Sequence, residues 1–425
     1  MVPNCLSLFV LVSLHALLAA ENTPAELLAK ASREGNLKTA ELLLSSGVNP
    51  DAPDRYGATP LYYASSGNKV EMLQLLLAYH ADPNAPVKMN RRKDDTDPPN
   101  GALQYAAGYG NIRIISTLLA AGAEINTKGA QGRTALHFAG TQVAVIHLLI
   151  EHGADVTVRD SEGVAPLDQA VWNGSLDAVA ILLAHGARLN EAEPATGATP
   201  INEAAYRGQT AVVEYLLRFN PDFAAPDNRH HTPLENAIRF RHEDSALLLL
   251  DAEAKEKPPQ FFAAIMDPAI KKDESALVEK LLQHGVPLNE ILASGSTPLE
   301  TAAFAGSVKV ARLLLESGAD PNLSGRAGAS PLENAALQGY DAIAALLLDR
   351  GAGINHINTA SGATALYDAA AFGRSSVVEL LLKRGANPSL CGPQQKSPYQ
   401  AALANGITDV AAILESHHAA AACKP

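Results

Sequence analysis

Thirteen histidines are the side chains of this sequence most able to hold a metal ion or move a proton. His147 and His152 are five residues apart, so they would not share one helix face well. His152, His185 and His284 each precede a glycine that is expected to end a helix, where the helix dipole favours a basic group. The patterns HExxH, GxSxG, GxxxxGKS/T and GxGxxG are absent. We therefore expect no enzyme, no cofactor and no metal centre.

The elements that would position such groups follow from an internal repeat. A triplet of the Thr-Pro-Leu kind recurs, and its third residue falls at Leu167, Ile201, Leu234, Leu299, Leu332, Leu366 and Tyr399. These positions are 33 or 34 residues apart, except for one gap of 65 that leaves room for a degenerate unit. A Gly-Ala pair follows in step about twenty residues later, for example at Gly153, Gly186, Gly318 and Gly385.

Each period is expected to contain two short helices. Thr or Ser accepts a hydrogen bond from an amide at the first helix N-cap, and Pro takes the first helical position. An Ala-Ala pair lets this helix pack closely, and a Leu-rich second helix, such as 308–316, ends at a glycine such as Gly318. Neither helix can bury its apolar face alone, so neighbouring units must stack.

These residues resemble the ankyrin repeat family, whose pattern is G-x-TPLHxAAxxGHxxVVxLLLxxGADxN. The resemblance extends from Pro24 to about His418. It implies an all-α repeat solenoid of about twelve stacked helix-turn-helix units with short β-hairpin loops. It also implies a structural role for His137, which occupies the histidine position of the family pattern.

Composition restricts the class of partner. Lys and Arg total 33 against 45 Asp and Glu, and the net charge of −12 disfavours a broad nucleic-acid surface. Aromatic residues are only 5% of the chain, while the apolar set reaches 47%, so Ala, Leu and Val must build the core. We expect a monomer that binds a protein partner and no nucleic acid.

The N-terminal segment is typical of a secretion signal. Residues 5–20 are apolar and uncharged, and these 16 residues are fewer than the roughly 20 that span a bilayer. We expect residues 1–20 to be a signal peptide cleaved after Ala19 or Ala20, which places the chain in the periplasm or outside the cell without a membrane anchor. No Lys or Arg precedes Lys30, so a cytoplasmic chain or an uncleaved anchor remains the alternative.

Three cysteines exclude a disulfide-dense scaffold. Cys5 would leave with the signal peptide. Cys391 precedes the last unit, whose final helix should run back towards it, so a disulfide with Cys423 is geometrically reasonable in an oxidising compartment. Two thiols that never meet are the alternative.

The repeat pattern breaks at two places. A charged insertion at about 85–100 should project as a hairpin, either to contact a partner or simply as a solvated loop. Residues 251–260 depart from the pattern, and the next unit lacks its Thr-Pro-Leu triplet. We expect two stacks, 21–254 and 255–418, followed by a tail at 419–425; sequence drift without consequence is the alternative.

Contacts in this family usually come from hairpin tips and from the two residues after the Ala-Ala pair, which line the concave face. Trp, Tyr and Arg are the residue types that dominate interface hot spots. The expected binding residues on the helices are Tyr109, Trp172, Asn173, Tyr206, Arg207, Arg239, Phe240 and Phe304, and those at a hairpin tip are Arg55 and Tyr56. The rings could instead pack over the neighbouring unit.

We therefore interpret the chain as a non-catalytic scaffold that binds a protein partner. Two other classes stay open: a ligand-binding or metal-binding protein or enzyme with a site assembled between repeats, and a self-assembling structural array. A secreted effector directed at a host would use the same binding mechanism in another compartment. The sequence names no partner, because fold does not settle function.

Overall fold

The computed structural model describes residues 23–88 and 99–418. The expected signal peptide at 1–20, most of the charged insertion and the tail at 419–425 therefore lie outside the described residues, as do Cys5 and Cys423. The chain divides into two compact units, Met1–Thr232 and Pro233–Pro425. Within the described residues, each of the two units contains six helical repeats, so the expectation of about twelve repeats is confirmed.

In the first unit, each repeat consists of an odd-numbered first helix and an even-numbered second helix. The helices are α1 (Pro24–Glu34), α2 (Leu37–Ser45), α3 (Pro60–Ser66), α4 (Val70–Ala78), α5 (Ala102–Gly108), α6 (Ile112–Ala120), α7 (Ala135–Ala139), α8 (Val143–Glu151), α9 (Pro166–Trp172), α10 (Leu176–Ala184), α11 (Pro200–Tyr206) and α12 (Thr210–Leu216).

The second unit has the same alternation. Its helices are α13 (Pro233–Arg239), α14 (Glu243–Glu253), α15 (Ala263–Lys271), α16 (Ser275–Gln283), α17 (Pro298–Ala305), α18 (Val308–Glu316), α19 (Pro331–Gln338), α20 (Asp341–Asp349), α21 (Ala365–Ala371), α22 (Ser375–Lys383), α23 (Pro398–Ala404) and α24 (Thr408–Ser416). The division falls after the sixth repeat, ahead of the break at 251–260; whether the array bends or unfolds at that break stays a prediction.

The first helices begin where the sequence predicts, and several of them have complete caps. In α17, the Thr297 hydroxyl accepts from the Glu300 amide at 3.2 Å, and the Glu300 carboxylate accepts from the Thr297 amide at 2.6 Å. Ser330 and Glu333 form the same reciprocal pair at α19. Each such cap stabilises a helix by about 1 kcal/mol. Gly306, in the left-handed region at φ 78°, ends α17.

Small residues set how closely the repeats approach each other. Ala302 and Ala303 on α17 are fully buried, as is Leu314 on α18. In most of the array, neighbouring first helices pack more extensively against each other than neighbouring second helices do; α7 with α9 and α13 with α15 are exceptions. Because the alanine pairs leave little volume between first helices, each stack should curve with its first helices on the inner side.

The hairpins that connect successive repeats are turns and not regular β-strands. Backbone hydrogen bonds close the turns: the Asp54 amide donates to the Ala58 carbonyl, and the Gly57 amide donates to the Asp54 carbonyl, both at 2.9 Å. An antiparallel bridge joins Val87 and Asn100, at the base of the charged insertion. The expectation of short β-hairpin loops is therefore right in topology, but the loops are too short to build a ladder.

Asparagine side chains tie each hairpin to the next repeat. The Asn322 side chain accepts from the Gly353 amide at 2.7 Å and donates to the Gly351 carbonyl at 3.2 Å. Asn126 makes the equivalent pair of bonds to Asp155 and Gly153. The last residue of the GADxN motif therefore fixes the register of two neighbouring repeats.

The degenerate eighth repeat keeps both helices without a Thr-Pro-Leu triplet. A short 3-10 turn at Pro259–Phe262 leads into α15. The Phe262 ring is fully buried, and so is Met266, which lies 33 residues before Leu299 at the position of the missing leucine. Helix α14 extends to Glu253, and the Asp251 carboxylate binds Lys280 at 3.0 Å and His284 at 2.8 Å on α16. Ion pairs replace the usual Gly-Ala-Asp turn here.

Replacing Asn322 tests the asparagine tie. Asn322→Ala removes both side-chain bonds and should lower the free energy of unfolding by about 1 kcal/mol, the usual range for exposed hydrogen bonds. Asn322→Asp is the matched control, because it keeps the acceptor for the Gly353 amide and should lose less. Urea denaturation followed by circular dichroism measures both variants. Equal stability of Asn322→Ala and wild type would contradict this role.

Candidate protein-binding surface

The expected binding residues of the first unit lie at the C-terminal ends of its first helices. Tyr109 directly follows α5 and is 60% exposed. Trp172 ends α9 and Tyr206 ends α11, and both are half-buried. Because these residues occupy the two positions that follow the Ala-Ala pair of the repeat pattern, at the ends of α5, α9 and α11, they lie on one side of the stack.

Trp172 combines the two roles that the sequence left open. It lines a narrow crevice with Asp168 of its own helix and with Glu193, Thr196 and Glu203 of the next repeat. Its ring is therefore partly packed against that repeat, while the remainder faces solvent. Replacing Trp172 removes packing as well as exposed contact area.

The polar members of this group are engaged within their own helices. The Arg207 guanidinium donates to the Glu203 carboxylate, which is largely buried. The Asn173 side chain donates to the Gln169 carbonyl at 2.7 Å, one turn earlier. Both side chains are exposed and held in place, so they offer oriented polar groups beside the aromatic rings.

The second unit presents its own group of exposed rings. Phe240 is 38% exposed directly after α13, and Phe304 is 53% exposed on α17. Arg239 is exposed as the last residue of α13. These three residues belong to a different compact unit from Trp172 and Tyr206, so the expected binding residues on the helices form two groups, one on each unit.

Two sets of exposed or partly exposed aromatic residues were not selected from the sequence. Phe372, directly after α21, is 56% exposed at one of the two positions that follow the Ala-Ala pair, so the repeat pattern already contained its signal. Tyr62 and Tyr105 pack edge to face with ring centroids 4.7 Å apart on neighbouring first helices. Neither residue is one of the two that follow the Ala-Ala pair, and neither lies at a hairpin tip, so the repeat pattern does not mark them as contact residues.

The hairpin tip Arg55–Tyr56 is exposed as expected. The Tyr56 side chain is 61% exposed, and Arg55 donates from Nε to the Glu26 carboxylate of α1 at 2.7 Å. That bond connects the tip of the second repeat to the first helix of the preceding one. The tip is therefore anchored and does not project as a separate element.

The described histidines perform structural roles or lie singly on the surface. His137 is buried, with its ring nitrogens 2.9 Å from the Thr134 hydroxyl and 3.1 Å from the Val164 carbonyl, and burial lowers its pKa. His152 and His185 each bond a carbonyl one turn back in their own helices. Across residues 23–88 and 99–418, no group of three or more His, Cys, Asp or Glu side chains is arranged to hold a metal ion.

Two further expectations concern a disulfide bond and the absence of a membrane anchor. Cys391 is partly buried, and its expected partner Cys423 lies outside the described residues, so that disulfide stays a prediction. Among the helices that the structure describes, none combines the length and apolarity needed to cross a bilayer.

Comparison with known proteins identifies the family. Residues 103–193, 167–258, 262–325 and 332–423 match ankyrin repeats (3 copies), and residues 28–77 match ankyrin repeats (many copies). These matches cover most of the sequence, and the chain belongs to the ankyrin repeat family. Ankyrin repeats are generally protein–protein interaction modules, and the family is mostly non-enzymatic.

Individual relatives come from distant organisms. The chain is 28% identical over 246 residues to the ankyrin repeat protein nuc-2 of Neurospora crassa, a match that covers 56% of this chain and 22% of that protein. It is 32% identical over 218 residues to the putative ankyrin repeat protein YahD of Escherichia coli, covering 50% of this chain and 94% of that protein. The crystal structure of the ankyrin repeat domain of Bcl-3 is 28% identical, with a TM-score of 0.46, covering 54% of this chain and 98% of that one.

Two carboxylates are buried in the seventh and eighth repeats, Glu253 as the last residue of α14 and Glu274 directly before α16. Glu253 is 3% exposed and Glu274 is 8% exposed. Neither oxygen of Glu274, nor Oε1 of Glu253, has a hydrogen-bond partner among the residues that the structure describes. Burial raises the pKa of each to about 7. Lys257 opposes and Glu235 adds to the rise at Glu253, while Lys272 and Arg241 oppose and Glu243 adds to it at Glu274.

These carboxylates should make the second unit less stable at alkaline pH. A carboxyl group whose pKa is raised on folding stabilises the fold fully below its unfolded value near 4.5, and that contribution is lost as pH rises through about 7. Glu253→Gln with Glu274→Gln should therefore flatten the fall in melting temperature between pH 5.5 and 8. At pH 8 the free energy of unfolding of the double variant should exceed that of wild type by about 1–2 kcal/mol per site. The exposed Glu290→Gln is the charge control, and a parallel fall in all three proteins would refute this account.

Proposed function

We propose that this protein is a non-catalytic scaffold that binds a folded protein partner through the exposed ends of its first helices. The observation that carries the proposal is the recurrence of large exposed rings at that position. Tyr109, Phe304 and Phe372 are all more than half exposed, whereas the stacking of the repeats uses the alanines and leucines beside them. Rings that the core does not need are available for a partner.

The mechanism is burial of these rings on a surface that already has its binding shape. An aromatic side chain contributes about 1.5–3 kcal/mol when it moves fully out of water, so two or three rings can support specific binding. Little ordering of the backbone is needed, because the rings lie on or directly after helices that already stack against their neighbours. Arg207 and Asn173 would then provide oriented polar contacts around the rings.

Arg55 and Tyr56 form a second contact region, which would bind by the same burial of an exposed ring. The ion pair with Glu26 orients the tip, and the exposed Tyr56 ring offers apolar area next to a fixed charge. An aromatic ring beside an arginine is a frequent composition of interface hot spots.

Partner capture by wild type and a ring-deleted variant tests the proposal. Trp172→Ala with Tyr206→Ala should reduce capture of a native partner at least tenfold, because two rings leave the surface. Tyr215→Ala with Phe219→Ala is the matched control, since it removes two rings from the second helix and following turn of the sixth repeat. Capture is quantified by mass spectrometry, and each protein's fold is checked by circular dichroism and melting.

The half-buried positions of Trp172 and Tyr206 require a further variant. Tyr109→Ala removes a ring that is 60% exposed and should leave melting unchanged while it weakens capture. Undiminished capture by the folded ring-deleted proteins would refute the proposed surface. A mass that depends on dilution, with no partner captured, would instead identify a self-assembling array.

Export remains part of the proposal and is tested separately. Residues 1–20 have the apolar length of a signal peptide, and we expect the mature chain to begin at Ala20 or Glu21. Intact mass of the protein isolated from its native source, with fractionation of the cells, measures this directly. A full-length chain in the cytoplasm would contradict export without affecting the binding surface.

A further inference from the structure

A cavity of about 250 Å³ opens between the first and second repeats. Helix α1 contributes Glu26, Lys30 and Arg33, which are spaced to share one helix face. The opposite wall comes from the hairpin tip at Asp54 and from the Tyr63 ring on α3. The cavity therefore lies in the groove between first helices and hairpins, at the N-terminal end of the first unit.

Both carboxylates of this cavity are already satisfied. Glu26 accepts from the Thr23 amide at 2.7 Å and from Arg55 Nε at 2.7 Å, and these bonds lower its pKa. Asp54 accepts from the Tyr56 amide at 2.9 Å and from the Tyr63 hydroxyl at 2.8 Å. A cation entering the cavity would have to compete with these internal donors.

Two cationic side chains keep donor capacity. The Arg33 guanidinium lies 5.7 Å from the centre of the Tyr63 ring, and none of the described carboxylates lies within ion-pair distance of it. Lys30 contacts only Glu34 in an ion pair, at 4.0 Å, and its side chain is 55% exposed. The Tyr63 ring interacts with the guanidinium through the cation–π attraction, which leaves the N–H groups of Arg33 able to donate to a ligand.

We propose that this cavity binds a glutamate or aspartate side chain in an acidic segment of the protein partner. The inference rests on the proposed function and names the chemistry of one contact. An arginine fork matches a carboxylate in bidentate geometry, and the lysine adds a second cation within the same cavity. The Tyr56 ring, 61% exposed in the cavity wall, supplies apolar area for the aliphatic part of the acidic side chain and its neighbours.

The test uses a fluorescein-labelled, end-blocked octapeptide containing four glutamates. Fluorescence anisotropy should detect binding to the full chain, and the same peptide with glutamines should bind at least tenfold more weakly. Lys30→Ala with Arg33→Ala should raise the dissociation constant for the acidic peptide at least tenfold. Binding should also weaken as salt is raised from 50 to 300 mM, because the contact is partly exposed.

A matched control separates the cavity from general charge. Lys309→Ala with Arg312→Ala removes two exposed cations from α18 and changes the net charge equally, so it should bind the acidic peptide within twofold of wild type. Arg33→Lys keeps the charge but loses the fork and should give an intermediate loss. Unchanged melting temperatures establish that every variant is folded.

Three results would overturn the proposal: equal binding of the glutamate and glutamine peptides, wild-type affinity in the Lys30 and Arg33 double variant, or an equal loss in the α18 control. If inorganic phosphate binds in the cavity and neither peptide does, the cavity is a site for small anions. That result would also reject an acidic protein segment as its ligand. The peptide assay does not involve Trp172 or Tyr206. Its failure therefore leaves the partner-capture experiment unaffected, and a failed capture experiment leaves the cavity test valid.

Discussion

The constraint on which this structure depends is that no single repeat can bury its own apolar surface. Most of its helices have only seven to nine residues, fewer than an isolated helix needs to persist in water. Burial of Ala302, Ala303 and Leu314 is complete only because neighbouring repeats cover them. The side-chain bonds of Asn322 and Asn126 then decide the register at which this burial occurs.

Because the core residues and the hydrogen-bonded residues hold the repeats together, the residues at the ends of the first helices can be replaced more freely. The inner alanines and leucines are restricted by volume, and the caps and asparagines are restricted by their hydrogen bonds. The exposed residues that follow the Ala-Ala pair meet neither requirement, so Tyr109, Phe304 and Phe372 can vary without loss of the stack. A binding surface made from such positions inherits the rigidity of the repeats around it.

The periodic features could be predicted from the sequence because each arises from a local requirement that recurs. A Thr-Pro-Leu-type triplet specifies a helix start, and most of the twelve helix pairs begin with one. What could not be predicted depends on contacts between residues far apart in the sequence. Phe262 fills the core of the degenerate repeat, Asp251 is bound by Lys280, and Arg55 is bound by Glu26. The exposure of Tyr109 could be predicted from its repeat position, but the cavity beside Arg33 required the geometry of two repeats.

The chain has a net charge of −12, yet the cavity between the first and second repeats can still attract a carboxylate. Salt screens the distant acidic residues, whereas the cations of the cavity act at short range. At physiological ionic strength the Debye length is about 8 Å, so acidic residues several repeats away contribute little inside the first cavity. An acidic partner would meet weak general repulsion during approach and strong local donors once docked. Association is then slow, and dissociation is slow only for segments that place a carboxylate in the cavity, so such segments are selected. A uniformly basic surface would not distinguish these segments from other acidic ones.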